Sequence, residues 1–538
     1  MQVRRVTTRT VLALAIAMGL SACGDSPGSV SGGGGTGVVS IGIVEPQHLI
    51  PANTTDYSGG QVLAALFTPL VVFDKDGKPV PEQASSITSS DAKVWTIQLK
   101  DGYRFHNGEP VNADSYLRAW NFGAYGPNGQ NASQYFSRIA GYDAMNPEGK
   151  TPPSAKTLTG LRKLDNLSFQ VTLSAPYGDF PSALGYTAFL PLPTAAFDAT
   201  GHIARGFEDQ IVGDGPFKMR GPWAHDQAIQ VERFDGFPGN RPRAAKVDFK
   251  IYQDPTTAYS DVLTNTLDVL PSVPTPNLAT ATADFGARYK HSPSSAFQFL
   301  AFPTYDSDYA NVNVRKAISM AIDRDQMVNQ IFAKSQTAAR SFVSPVVPGY
   351  RPNTCGEACT YNPAAAKDLY HQAGGPGKLQ ITYNADGGHK EWVEAVCNQL
   401  ARNLAVKCMA QPEVKLADLI PKVRARTPGV GMFRLGWVMD YPSMENYLTP
   451  LYSSRGGSNY YGYSNPEFDR LVADGAQQAK VDASIKLYQK AEDLLVRDMP
   501  VIPLRFGQNN FVFSTNVSNV SLDLFGDVNL TEIAALAA

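Results

Sequence analysis

Two hydrophobic periods interleave along this chain, and that interleaving constrains the fold more than any other feature. Apolar residues alternate with polar ones at Trp95, Ile97 and Leu99, at Phe169, Val171 and Leu173, and at Val247, Phe249 and Ile251. A period of two predicts half-buried strands. Further on the spacing becomes helical: Val314, Ala317, Ile318, Ala321 and Ile322 form one stripe, Val393, Val396, Leu400 and Leu404 a second, and Leu487, Ala491, Leu494 and Leu495 a third. Strands interleaved with helices predict an α/β protein of more than one lobe. The length of 538 residues agrees, since domains run to roughly 100–200 residues and about three fit. With 43% hydrophobic and 18% charged residues the chain can bury a large core, which excludes a disordered or fibrous protein. A formal charge of −2 supplies no basic field, so nucleic acid is not an expected partner.

The N-terminus has a different logic. Arg4, Arg5 and Arg9 precede the ten-residue apolar run VLALAIAMGL at 11–20, too short for a bilayer that needs about 20 residues. A basic start, a short apolar stretch and small residues after it predict a secretory signal peptide over residues 1–22. The run ends in Leu20-Ser21-Ala22-Cys23, which resembles the lipobox of bacterial lipoproteins. That resemblance implies a lipid on Cys23, a chain beginning at Cys23, and an extracytoplasmic location anchored to the cell membrane. Losing residues 1–22, with three arginines and no acid, would take the formal charge from −2 to −5. Residues 23–37 would then be a flexible linker, since 24–37 read GDSPGSVSGGGGTG, with a reach of roughly 20 Å. Two motif matches fall in this linker, GxGxxG at Gly32, Gly34 and Gly37 and GxSxG at 24–28. Both lack the preceding strand their chemistry requires. The folded body should start near Val38.

Beyond Cys23 the cysteines are Cys355, Cys359, Cys397 and Cys408. An even set in an exported chain reads as disulfides, with three possible connectivities. The pairs Cys355–Cys359 and Cys397–Cys408 are expected because each closes a short loop; the spacing is poor for zinc. The seven histidines include no HExxH and no i, i+4 pair, so metal catalysis has no visible anchor. Ser90-Asp91-Ala92-Lys93 fits SxxK but lies in a polar turn rather than opening a helix. No phosphate loop appears. An enzyme is not expected, and neither is a cofactor.

Several stretches carry a resemblance. They are WTIQLKDGYRFHNG at 95–108 with VNAD at 111–114, GDGPFK at 213–218, NVNVRKAISMAIDR at 311–324, GWVMDYP at 436–442, NPEFD at 465–469 and DMPVIPL at 498–504. Physically the first is a strand, an Asp-Gly turn, a second strand, an Asn-Gly turn and a helix capped near Asn112. In this order and spacing they resemble the peptide and nickel family 5 of extracytoplasmic solute-binding proteins, the capture components of ABC importers. The resemblance spans nearly all of residues 38–515. It implies a two-lobed, hinged α/β periplasmic-binding-protein-like fold (class II, the large three-domain type). Lobe I would be 38–294 plus 508–538 with an inserted subdomain near 75–205, and lobe II 295–507. It implies short peptides as ligand and the permease and ATPase subunits of an ABC importer as partners.

A peptide brings an ammonium and a carboxylate, each costing several kcal/mol if buried unpaired. By the resemblance Asp440 in the W-x-x-D segment holds the ammonium, Gly436 lets the ligand backbone approach and Trp437 walls a pocket. Arg434 and His389 would serve the carboxylate, the latter within YNADGGHK at 383–390, and Asn459 would be a further contact. Pro442-Ser443-Met444 departs from the acidic-Pro step common after this core, which leaves fine specificity open. The family also holds nickel, haem, sugar and glutathione binders, so another cargo on the same scaffold is the alternative, with a lipid-anchored hydrolase or a passive surface protein as rivals from other classes.

Overall fold

The computed structural model describes residues 37–147, 151–385 and 388–536. The leader, Cys23 and the linker up to residue 36 lie outside the described residues, as do Asp386 and Gly387.

Eleven strands make one mixed sheet. In chain order they are β1 (Val38–Ile43), β2 (Phe217–Met219), β3 (Ala228–Arg233), β4 (Lys246–Ile251), β5 (Val269–Leu270), β6 (Tyr289–Ala301), β7 (Thr337–Ala338), β8 (Lys378–Asn384), β9 (Lys407–Glu413), β10 (Met432–Trp437) and β11 (Val501–Phe513). Across the sheet the order is β9-β8-β10-β6-β11-β5-β1-β4-β3-β2, with β7 paired to β11 off that path. Strands β6 and β11 have 13 residues each, about twice the usual length, and pair antiparallel from Tyr289–Val512 to Ala301–Val501. Hydrophobic side chains follow this division. Two cores gather residues up to Tyr289 with parts of the stretch after Phe511, and two others gather residues between Phe297 and Phe506. Tyr441 crosses the division, packing in a core of the first group.

The β6–β11 ladder is interrupted twice. Between Pro293 and Phe297 the register shifts, and Gly507 stands opposite, where an added Cβ would lie 2.4 Å from the Ser294 hydroxyl. Between Gln298 and Phe299 it shifts again, because Gln298 pairs with Arg505 while Phe299 pairs with Pro503. Pro503 has no N–H to give, so Leu504 bulges. Two buried guanidiniums hold the start of β11 in place. Arg315 donates to the carbonyls of Met499 at 2.9 Å and of Asp498, and Arg324 to that of Pro503 at 2.7 Å. Two of the family-like stretches, 311–324 and 498–504, are therefore the two sides of one joint.

A separate four-stranded sheet pairs Ala84–Thr88, Val94–Leu99, Ser168–Thr172 and Leu161–Lys163 in that order. The period-two residues Trp95, Ile97, Leu99, Phe169 and Val171 are its buried face. Helix Ala113–Ala124 covers it, capped as expected by Asn112, whose Oδ1 accepts from Ser115 N at 3.2 Å. The expected second strand after the Asp-Gly turn does not join a sheet. Arg104 and Pro110 make only an isolated bridge, since Pro110 withholds a donor and His106 N is drawn to Gly213 O at 2.8 Å. The helical stripes hold: Val393, Val396, Leu400 and Leu404 are on the buried face of helix Lys390–Leu404. The stripe beginning at Val314 overruns its helix, which ends at Met320, yet Ala321 and Ile322 stay buried. Cys355 is bonded to Cys359 and Cys397 to Cys408.

The small sheet's segment is fastened to residues beyond 440 by a buried polar cluster. Tyr177 hydroxyl donates to the Tyr441 hydroxyl at 2.5 Å, which in turn donates to Glu445 Oε2 at 2.6 Å. Arg138 reaches Glu445 Oε1 at 3.3 Å and lies 3.9 Å over the Tyr177 ring. Tyr488 hydroxyl donates to Asp179 Oδ2 at 2.8 Å. Burial first, and then the neighbouring Glu445, push the Asp179 carboxyl up to about 7, against pulls from Tyr488, Ser443 and Arg138. A carboxyl raised in the folded state gives stability that is full below its unfolded pKa of about 4 and lost as pH rises through about 7. Asp179→Asn, which fixes the neutral form, should flatten the decline of thermal stability between pH 4 and 7 by about one proton's worth; an unchanged slope in calorimetric melts would refute this role.

Candidate ligand-binding site

The site is built around β10 and the turn that leaves it. Arg434 and Gly436 alternate on one face of β10, opposite Gln298 of β6, which pairs with Gly436 on one side and Arg505 of β11 on the other. Gln298 Oε1 accepts from Arg434 Nη2 at 2.9 Å, and Asn384 Oδ1, at the end of β8, accepts from Arg434 Nη1 at 3.0 Å. Gly436 makes room for this: a Cβ there would stand 2.4 Å from Gln298 Nε2. The missing side chain thus serves the Gln298 amide that orients Arg434.

After β10 the chain turns through Asp440 into helix Glu445–Tyr452. Asn446 in its first turn organises the turn. Its Oδ1 accepts from Asp440 N at 2.9 Å and from Trp437 Nε1 at 3.3 Å, and its Nδ2 donates to Asp440 Oδ2 at 3.0 Å. Asp440 Oδ1 accepts from the Tyr135 hydroxyl at 2.9 Å. Tyr135 stacks on Tyr186 with centroids 4.0 Å apart, and burial, then Asp440, hold its hydroxyl far above the ordinary phenol range, so it stays a donor. Asp440 is half-buried, and its carboxylate has neutral donors and no cation among the described residues. Trp437 is half-buried against the neighbouring core, while Val438 beside it is exposed.

His389 is buried at the start of helix Lys390–Leu404, and its Nδ1 accepts from Trp392 Nε1 at 3.1 Å. The Trp392 ring lies 5.1 Å from the Arg505 guanidinium, which sits 4.3 Å over Phe332 on another side. Sequence reasoning missed Arg505, although a lone arginine inside the apolar run VIPLRF was a visible signal. Tyr135 and Asn446 carried no such signal. Asn459 is drawn elsewhere: its Nδ2 donates to Ser453 O at 2.9 Å and Tyr463 O at 2.7 Å, and its Oδ1 accepts from Tyr463 N at 3.1 Å. These bonds staple a loop and touch none of the other expected residues.

At the first interruption of the β6–β11 ladder lies a cavity of about 400 Å³, walled in part by Tyr57, Ser294, Gln336, Gly507 and Gln508. Among the described residues no group of three or more His, Cys, Asp or Glu side chains could hold a metal ion. No helix among them is long and apolar enough to cross a membrane.

Comparison with known proteins adds to this geometry. The family model of bacterial extracellular solute-binding proteins, family 5 middle, matches residues 78–459. The oligopeptide-binding protein OppA of Bacillus subtilis is 27% identical over 546 residues, covering 96% of this chain and 97% of the relative. The periplasmic murein peptide-binding protein MppA of Escherichia coli is 25% identical over 472 residues, covering 86% of each. A solved structure of the murein tripeptide-binding protein MppA, in its unliganded open form, superposes with a TM-score of 0.83 at 22% identity, covering 93% of this chain and 97% of that one. The architecture is that of the two-lobed periplasmic binding proteins.

Tyr135→Phe should cost about 1.5–3 kcal/mol in urea unfolding, the range for a hydrogen bond to a charged group. A loss below about 0.3 kcal/mol would mean that Asp440 does not depend on this donor.

Proposed function

The chain belongs to the bacterial extracellular solute-binding proteins of family 5, and from that premise we propose that it is the capture component of an ABC importer, closing two lobes on a short peptide and handing it to a permease. The observation that carries this reading is Asp440, a half-buried carboxylate served by Tyr135 and Asn446 and by no cation among the described residues. Such a carboxylate is complementary to a ligand ammonium, whose burial unpaired would cost several kcal/mol. The relatives named for peptide binding point to the same class of ligand.

In this reading Arg434 and His389 take the peptide's terminal carboxylate, and Trp437 with Val438 lines a side-chain pocket. Arg434 and Asp440 stand six residues apart in the chain, so their Cα atoms are at most about 20 Å apart, within reach of the two ends of one short peptide. The division into lobe I (38–294 with 508–538, carrying the inserted subdomain 75–205) and lobe II (295–507) puts both crossings inside the β6–β11 pair. The interruption at Pro293–Phe297 opposite Gly507 supports a hinge there. No chemistry is required of the protein. A lipid on Cys23 would hold it to the outer face of the cell membrane, the linker leaving the lobes free to meet the permease.

Asp440→Asn should weaken binding of short peptides by about 2–5 kcal/mol, the range for truncating one partner of a buried charge pair; unchanged affinity by calorimetry would remove Asp440 from the ammonium role. Cys23→Ala should move the protein from the membrane fraction to the soluble one, and its persistence in membranes would rule out the lipid anchor.

A further inference from the structure

Arg505 is 4% exposed, and its partners among the described residues are neutral. Its Nε donates to Gln336 Oε1 at 2.5 Å, its face lies over the rings of Phe332 and Trp392, and its Nη1 is buried without a hydrogen-bond partner. The charge that acts on it from nearby is another cation, Arg434. Burial, then Arg434, lower its pKa to about 9, so it is still protonated at neutral pH. A buried guanidinium with no acid beside it costs folding free energy. The fold nevertheless holds this one over the rings of Phe332 and Trp392, on the face of the sheet that carries Gln298 and Arg434.

Its position gives the cost a purpose. Gln336, held by Arg505, forms part of the wall of the 400 Å³ cavity at the ladder's interruption. Arg505 is thus one hydrogen bond behind a surface that a ligand can reach. A carboxylate that displaces the Gln336 carbonyl would meet a guanidinium already stacked in place, with an open donor at Nη1, and gain a charge-assisted bond. Resting on the peptide-binding reading, in which Arg434 and His389 serve the ligand's terminal carboxylate, we propose that Arg505 binds a second carboxylate, an acidic side chain of the captured peptide. Peptides carrying Asp or Glu near their C-terminus are then the preferred ligands.

The test compares Ala-Ala-Glu with Ala-Ala-Gln by calorimetry on the purified chain. The acidic peptide should bind about tenfold or more tightly, and Arg505→Gln should abolish that preference by weakening Ala-Ala-Glu more than Ala-Ala-Gln. Arg505→Lys should keep part of the preference. In the unaltered chain the preference should fade as pH falls below about 4, where the glutamyl side chain takes up its proton, which requires no variant to fold. Equal affinity of the unaltered chain for both peptides overturns the proposal and leaves peptide capture intact. A preference that survives Arg505→Gln also overturns it, as does equal weakening of both peptides, which would give Arg505 the terminal carboxylate instead. If neither peptide binds, peptide capture itself fails first.

Discussion

The antiparallel pairing of β6 with β11 is the constraint on which the rest of the molecule depends. These 13-residue strands lie at the middle of the large sheet, β10 hydrogen-bonded to one and β5 to the other. The cores on either side share few residues across this line. Register in a ladder decides which face each side chain occupies. Here it puts Gln298 beside Arg505 and opposite Gly436, so the polar face of the site results directly from how these strands pair. Arg315 and Arg324 lock that register by donating to carbonyls at the entrance of β11. Both satisfy their buried charge with backbone oxygens rather than acids, which places each carbonyl to within a hydrogen bond's tolerance.

On this scaffold the candidate site serves its charges with neutral groups among the described residues. Asp440 is oriented by an amide and a phenol, Arg505 by an amide and two rings. Neutral dipoles fix a charged group's direction without cancelling its charge. The cluster of Tyr177, Glu445, Tyr441 and Asp179, buried behind the exposed Arg138, is arranged differently. There Arg138 faces Glu445, and the surplus acid, Asp179, answers burial by holding its proton. One cluster is closed and fastens the small sheet's segment to the chain beyond 440, while the other is open. They meet at residues 440–445, where Asp440 is hydrogen-bonded to Tyr135, three residues from Arg138 of the fastening cluster.

Much of the local structure was legible in the sequence because it depends on neighbours in the chain. Alternation over 94–99 and the stripe from Val393 to Leu404 specify a strand and a helix with a buried face. Asn112 before an amphipathic run specifies a helix start, and loops of Cys355–Cys359 and Cys397–Cys408 close where short loops can. Where a distant group competes, local reading fails. Tyr103–Phe105 has a strand's pattern but gives its hydrogen bonds to Pro110's loop, while the next residue, His106, turns to Gly213. Asn459 instead binds within its own loop, its amide donating to Ser453 O and Tyr463 O, six and four residues away.

The sequence by itself determined the α/β class and favoured the local pairing of the cysteines, because both are set by spacing along the chain, while Asp440 stood out only through the family resemblance of the W-x-x-D stretch. Only the tertiary structure decided the order of the strands, the partnership of Gln298 with Gly436 and Arg505, and, among the described residues, the separation of Asp440 from cations and of Arg505 from acids. Whether a charge is compensated depends on which side chains arrive within about 4 Å of it, and those arrivals come from segments far away along the chain.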